Sequence, residues 1–178
     1  MTIIETSHLR LRKLRWRDYS VLCKILRDVD VMYAWEGPFS KTQVFDWIKL
    51  QKKNYRKLGF SLWSVVLKET GEMIGQCGLF LQNYKGAQIL ELSYLFQKDF
   101  WHKGYATEAA IACRDYAFET LGADEVFSTV RDTNIASRNV AKRCGMAHRD
   151  EFVKHYRGVD MPHYVYSIKR EELDKARK

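Results

Sequence analysis

The chain has 178 residues, 46% of them apolar, which is enough for one domain spanning 1–178 that buries roughly 70% of its unfolded surface, with no Pro/Gly/Ser-rich linker to divide it. No apolar run approaches the ~20 residues of a membrane span, and Met1-Thr2-Ile3-Ile4-Glu5 lacks the basic-then-apolar order of a signal peptide, so a cytoplasmic location without membrane partners is expected. The net charge of +8 favours an anionic partner such as a polyphosphate cofactor, an acidic substrate or RNA, without choosing among them.

In chain order, Leu9 and Leu11 alternate with Arg10 and Arg12, which predicts a first strand with one wet face; Trp16 to Leu26 then reads as helical. Ser40-x-x-Gln43 forms a capping box after Pro38. Val44, Trp47, Ile48, Gln51, Tyr55 and Leu58 mark one face of the following helix, which Gly59 stops. Phe60 to Lys68 and Met73 to Asn83 read as strands joined at Glu69-Thr70-Gly71-Glu72, with Ile89 to Phe96 as the next strand. A helix follows Gly104, then a strand from Glu125 to Val130 and a short helix from Ser137 to Cys144. Ala147 to Arg157 and Met161 to Ser167 flank Gly158-Val159-Asp160 as a second hairpin, and Lys169 to Lys178 is a charged terminal helix. The order is α+β.

Cys23, Cys77, Cys113 and Cys144 are far apart, without a CxxC pair or a histidine at ligand spacing; reduced, mostly buried thiols and no structural metal are expected. Two basic clusters, Arg10 to Arg17 and Lys49 to Lys57, read as solvated faces rather than as a nucleic-acid surface.

The most informative stretch is Trp101-His102-Lys103-Gly104-Tyr105-Ala106-Thr107-Glu108-Ala109-Ala110. It lies at a strand-to-helix junction, where the first helical amides have no intrahelical partner and the helix dipole favours negative charge. Small residues there let backbone N–H groups close on a phosphate. A lone glycine more often merely caps a turn before a buried helix, but the flanking residues here tip the reading toward a phosphate cradle.

The run Trp101-x-x-Gly104-x-Ala106 resembles the pyrophosphate loop, Gln/Arg-x-x-Gly-x-Gly/Ala, of the GNAT N-acetyltransferases. The aromatic Trp101 in the first slot and the following Ala-Thr-Glu-Ala resemble the branch of ribosomal-protein N-terminal acetyltransferases, the RimJ/RimL-like proteins. Leu9-Arg10-Leu11-Arg12, Gly71 to Leu79, and Asn134-x-x-Ser137 followed by Cys144-Gly145-Met146 fit the same branch.

The resemblance implies a mixed, largely antiparallel twisted sheet of about six or seven strands with helices on both faces. It implies an acetyl-CoA-dependent transferase that moves the acetyl group to a primary amine, on a protein N-terminus or a small molecule, by direct attack. It places the cofactor on Trp101, His102, Lys103, Gly104, Tyr105, Ala106 and Thr107, on the strand amides of Leu95, Phe96 and Gln97, and on Asn134. Glu91, the one acid in an apolar strand, faces either solvent or a cleft; in the cleft it would accept the amine's proton through a water, the role some family members give a glutamate there. Ser137 is the candidate proton donor to the leaving thiolate, since the tyrosine slot of many members is Ala141 here; Asn134 or Ser137 would also cap the next helix.

Tyr33 to Phe39 occupies the segment that walls the acceptor site in the family. There Trp35 and Glu36 suit a cationic amine, or Trp35 and Phe39 form the seam of two packed helices. A reading from another class is a GNAT-fold binding or regulatory module on ribosome or RNA without transferase activity, although no aromatic RNP pattern or GXXG loop supports nucleic acid as a partner. A monomer and a homodimer both remain open.

Overall fold

The structure, a computed structural model, describes residues 2–35, 37–156 and 158–176. Its strands form one sheet in the order β1-β2-β3-β4-β5-β6-β8-β7. In chain order the elements are β1 (Thr2–Glu5), β2 (Leu9–Arg12), α1 (Tyr19–Leu26), α2 (Val29–Met32), α3 (Lys41–Lys57), β3 (Leu62–Leu67), β4 (Met73–Tyr84), β5 (Ala87–Phe96), α4 (Tyr105–Glu119), β6 (Glu125–Arg131), α5 (Ile135–Arg143), β7 (Ala147–Tyr156), β8 (Val159–Lys169) and α6 (Arg170–Ala176). Eight strands replace the expected six or seven. The addition is β1, whose Thr-Ile-Ile-Glu run has no period of its own and is ordered by pairing with β2.

The predicted local signals act through identifiable contacts. Ser40 Oγ accepts from the amide of Gln43 at 3.2 Å and Gln43 Oε1 accepts from the amide of Ser40 at 2.7 Å, so the capping box starts α3. Tyr84-Lys85-Gly86-Ala87 closes the β4–β5 hairpin, with Lys85 and Gly86 both at positive φ, as a two-residue turn of this twist requires.

All six residues of β3 are buried, because helices cover the sheet on both sides. On one side, Ala109, Ala110, Cys113 and Ala117 of α4 pack closely and Tyr116 meets Trp63 edge-on at 5.1 Å. On the other lie Leu22, Ile25 and Leu26 of α1 with Val44 and Ile48 of α3. The four cysteines are free thiols, three of them buried, and burial pushes the Cys144 thiol up to about 12.

Of the first basic cluster, Arg12 serves the fold. Its guanidinium grips Asp18 through two hydrogen bonds of 2.7 and 2.8 Å, while Ser64 Oγ and the amide of Arg15 donate to the same carboxylate. Burial opposes ionisation of Asp18, but these donors outweigh it and hold its pKa below the usual range. On α3, Lys49, Lys53, Arg56 and Lys57 are exposed, as a solvated face should be.

One junction breaks the antiparallel pattern. β5 and β6 run parallel, linked by the α4 crossover, and share a single ladder pair, Glu91 with Phe127. Beyond it, Leu92 to Leu95 and Ser128 to Arg131 line opposite walls of a cavity of about 760 Å³.

Candidate active site

The cavity occupies the splay between β5 and β6. Asn134 and Ser137 of the α5 start contribute on one side; Trp35, Trp47, Phe80, Phe152 and His163 contribute on the other.

Trp101 to Gly104 form an exposed turn leading from β5 to α4. Gly104, the N-cap, has φ +83° and no side chain to cap the amides behind it, and His102 also has φ +60°. Alternating positive φ values turn successive N–H groups toward one concavity, a geometry suited to anions. A Cβ built on Gly104 would meet no protein atom within 4 Å, so the space over the loop is open. Trp101 Nε1 donates to the Phe96 carbonyl at 3.0 Å, bracing the loop against the end of β5.

The acid in the first turn of α4, Glu108, is turned away from this concavity. It accepts from Thr6 Oγ1 at 2.5 Å and from the amide of His8 at 2.8 Å. Partial burial works against its ionisation, but those bonds prevail and lower its pKa. Glu108 therefore does not compete for the amides at the positive end of the helix.

The three strand amides predicted to face the cofactor are divided by the pleat. The amide of Gln97 donates to Ile74 O at 3.0 Å and its side chain donates to Met73 O at 2.8 Å, so Gln97 is committed to β4. By the alternation of the antiparallel ladder, the backbone of Leu95, opposite Gln76, also faces β4, leaving Phe96 directed toward the splay. The expectation for Gln97 and Leu95 is corrected accordingly: with a side-chain period of two, adjacent residues cannot present their amides to the same edge.

Glu91 faces the cleft rather than solvent. It is 4% exposed, its Oε1 accepts from Thr129 Oγ1 at 2.6 Å and from the Thr129 amide at 3.2 Å, and its Oε2 is buried without a partner. Burial pushes its pKa up to about 7, against the hydrogen bonds from Thr129 and the charge of Lys154.

Asn134 is the N-cap of α5, its Oδ1 accepting from the Ser137 amide at 3.1 Å. Ser137 Oγ donates to the Tyr94 hydroxyl at 2.9 Å, and that hydroxyl donates to the Ser137 carbonyl at 2.9 Å. Tyr94 thus supplies from β5 a phenol beside Ser137, whereas the helix position Ala141 is buried in the core. Burial raises the Tyr94 pKa and keeps the phenol protonated. Sequence reading did not find Tyr94: its place in a strand alternation does not reveal a partner 43 residues away.

His163 is a second residue that local pattern does not reveal. Its Nδ1 bonds Met161 O at 2.8 Å, its ring stacks on Phe152 at 5.2 Å, and burial lowers its pKa. Nδ1 therefore carries the proton and Nε2 of the neutral ring has the lone pair. Trp35 lines the cavity and also packs edge-on against Trp47 at 5.9 Å, with Phe39 on the same indole at 5.8 Å, so the seam and the wall are one cluster. Glu36 lies outside the described residues. Among the described residues, no cluster of His, Cys, Asp or Glu could hold a metal, and no helix is long and apolar enough to cross a membrane.

The sequence profile of the acetyltransferase (GNAT) domain family matches residues 8–147. The chain belongs to the GNAT acetyltransferases. Among its relatives, the uncharacterized protein YkkB of Bacillus subtilis is 35% identical over 94% of this chain and 96% of its own. The FsC-acetyl coenzyme A-N(2)-transacetylase of Aspergillus fumigatus is 32% identical over 95% of this chain and 77% of its own. A crystal structure of an acetyltransferase from Agrobacterium tumefaciens superposes with a TM-score of 0.79 at 29% identity, covering 96% of this chain and 95% of its own. This GNAT N-acetyltransferase thus carries its fold and family over nearly the whole chain.

Within this site, Tyr94→Phe is expected to lower turnover several-fold, because Ser137 Oγ loses the group it bonds. Ser137→Ala should do the same, and the double variant should be no worse than either single one, since the two hydroxyls act as one unit. Steady-state kinetics with acetyl-CoA affinity measured in parallel would check this; additive losses would mean that the hydroxyls act separately.

Proposed function

We propose that this GNAT acetyltransferase uses acetyl-CoA to acetylate a primary amine by direct attack, without an acetyl-enzyme. The observation that carries the reading is the unpartnered Oε2 of Glu91 at the splay, on the same cavity that Ser137 and Asn134 line. When bound, acetyl-CoA supplies a thioester whose carbonyl carbon takes the amine as the C–S bond breaks and the thiolate departs. The open loop at Gly104, the uncapped start of α4 and the edge of Phe96 fit its pyrophosphate and pantetheine arm.

Glu91 takes the amine's proton through a water. An α-amine of pKa ~8 needs only about 1.4 kcal/mol to be neutral at pH 7, against about 4.6 for a lysine-type amine of pKa ~10.4, so a carboxylate with a pKa of about 7 suits the former. Ser137, with Tyr94 behind it, donates a proton to the departing thiolate. The acceptor is bounded by Trp35, with Glu36 beside it in sequence. Within the family, the aromatic Trp101 and the Ala-Thr-Glu-Ala run favour the RimJ/RimL-like branch, and a cytoplasmic enzyme acting as a monomer or homodimer accords with it.

Release of free thiol from acetyl-CoA across α-amino, polyamine and peptide N-terminal acceptors tests the reading. Turnover with at least one amine is expected. Binding to RNA or ribosomes with no acetyl transfer to any of them would replace it with the binding-module alternative.

A further inference from the structure

The acceptor side of the cavity contains a cation whose hydrogen bonding is incomplete. Arg131 ends β6 and shares a ladder row with His163, which in turn lies opposite Phe152 of β7. Paired residues of a sheet point to one face, so Arg131, His163 and Phe152 form a band across the acceptor side.

The Nη1 of Arg131 donates to Tyr33 O at 2.7 Å, which fixes the plane of the guanidinium. Its Nε is buried without a partner. A guanidinium held at Nη1 still has an Nε–Nη2 edge, whose two parallel N–H groups match the two oxygens of a carboxylate. Buried polar groups are nearly always satisfied, so the unbonded Nε of an arginine that lines the cavity marks a place where a ligand oxygen would complete the set.

The spacing along β6 adds a constraint. Thr129, which holds Glu91, and Arg131 are two residues apart on one strand face, hence about 6.7 Å from each other. Arg131 and the Thr129-held Glu91 therefore line the same cavity, so a ligand held by Arg131 shares that space with the Glu91 carboxyl. In an α-amino acid the amine is two bonds from the carboxylate carbon, so one small molecule can present its carboxylate to Arg131 and turn its amine toward Glu91 within the one cavity. The walls around this path, Trp35, Trp47, Phe80 and Phe152, are aromatic.

We propose that the acceptor is a free α-amino acid with an apolar side chain, whose carboxylate is bound by the Nε–Nη2 edge of Arg131 while its amine faces Glu91. This rests on the transferase reading above and narrows its substrate class. A polyamine has no group for Arg131 and brings further positive charge to it; a peptide N-terminus carries an amide where the carboxylate would be.

The test compares kcat/KM for L-phenylalanine, L-phenylalaninamide, phenethylamine and spermidine, with acetyl-CoA affinity measured by calorimetry. L-Phenylalanine is expected to exceed phenethylamine and the amide by tenfold or more, the usual value of a charge-assisted bidentate contact. In Arg131→Gln that ratio should fall toward one, and Arg131→Lys should restore part of it; thermal unfolding of each variant identifies a fold defect. Equal or better use of phenethylamine, the amide or spermidine by the parent protein overturns the proposal while leaving the transferase reading intact. A ratio undiminished in a folded Arg131→Gln also overturns it. No thiol release with any amine, despite acetyl-CoA binding, overturns both.

Discussion

Replacing Gly104 by Val is expected to lower acetyl-CoA affinity at least tenfold and to cost the fold on the order of 1–3 kcal/mol. The two effects have different origins. At φ +83° a β-branched residue is a steric outlier, and this strain is independent of any ligand. The affinity loss comes from the ligand side: the space over Gly104 holds no protein atom within 4 Å, so a side chain there occupies only what a phosphate would approach. The stability cost comes from the positive φ and not from lack of space. Gly104→Ala carries less backbone strain and less bulk, so both its unfolding temperature and its affinity should lie between those of Gly104→Val and the parent. Calorimetric titration with acetyl-CoA and thermal unfolding measure the two separately. Unchanged affinity in a folded Gly104→Val would remove the loop from the binding site.

What could be read from the sequence depended on whether the cause was local. Ser40 and Gln43 announce α3 because both partners of the capping box lie within one turn, and Gly104 announces its loop because only glycine takes that backbone conformation freely. Glu91 was visible as an anomaly, an acid in an apolar strand, but its direction was not, since either strand face was compatible until Thr129 and the splay were placed. Tyr94, Arg131 and His163 carried no signal at all. Tyr94 matters because α5 returns Ser137 to it, and Arg131 and His163 matter because the β6–β8 register sets them side by side. The same dependence explains β1, which needs β2, and the divided roles of Leu95, Phe96 and Gln97, which follow from which edge of β5 each amide faces. A recognised family pattern marks the segment that binds, whereas the pleat decides which atoms within it are free to do so.

Glu91→Gln is expected to lower turnover by 10²–10⁴, the usual range for loss of a general base, and to change the pH dependence of both activity and stability. In the parent protein, kcat/KM should rise with pH through about 7 as Glu91 ionises; in the variant this limb should vanish, leaving the rise set by the amine and hence displaced upward. Stability should move in the opposite sense. A carboxyl whose folded pKa, about 7, lies above its unfolded value of roughly 4.3 binds its proton more tightly in the folded state. Unfolding releases that proton between those values, so the parent protein loses stability as pH rises from about 4.5 to 7, by on the order of 3 kcal/mol, and keeps the deficit above. Glutamine carries no such proton, so the variant should gain on the parent as pH rises and should unfold at the higher temperature at pH 8. Unfolding temperatures of both proteins from pH 5 to 8, beside rate–pH profiles on the best acceptor, check this. A parent that keeps its margin over the variant at pH 8 would mean that the Thr129 hydrogen bonds hold Glu91 ionised throughout. A rate–pH profile shared by both proteins would leave Glu91 as a strut between β5 and β6, with positioning and backbone amides accelerating the transfer.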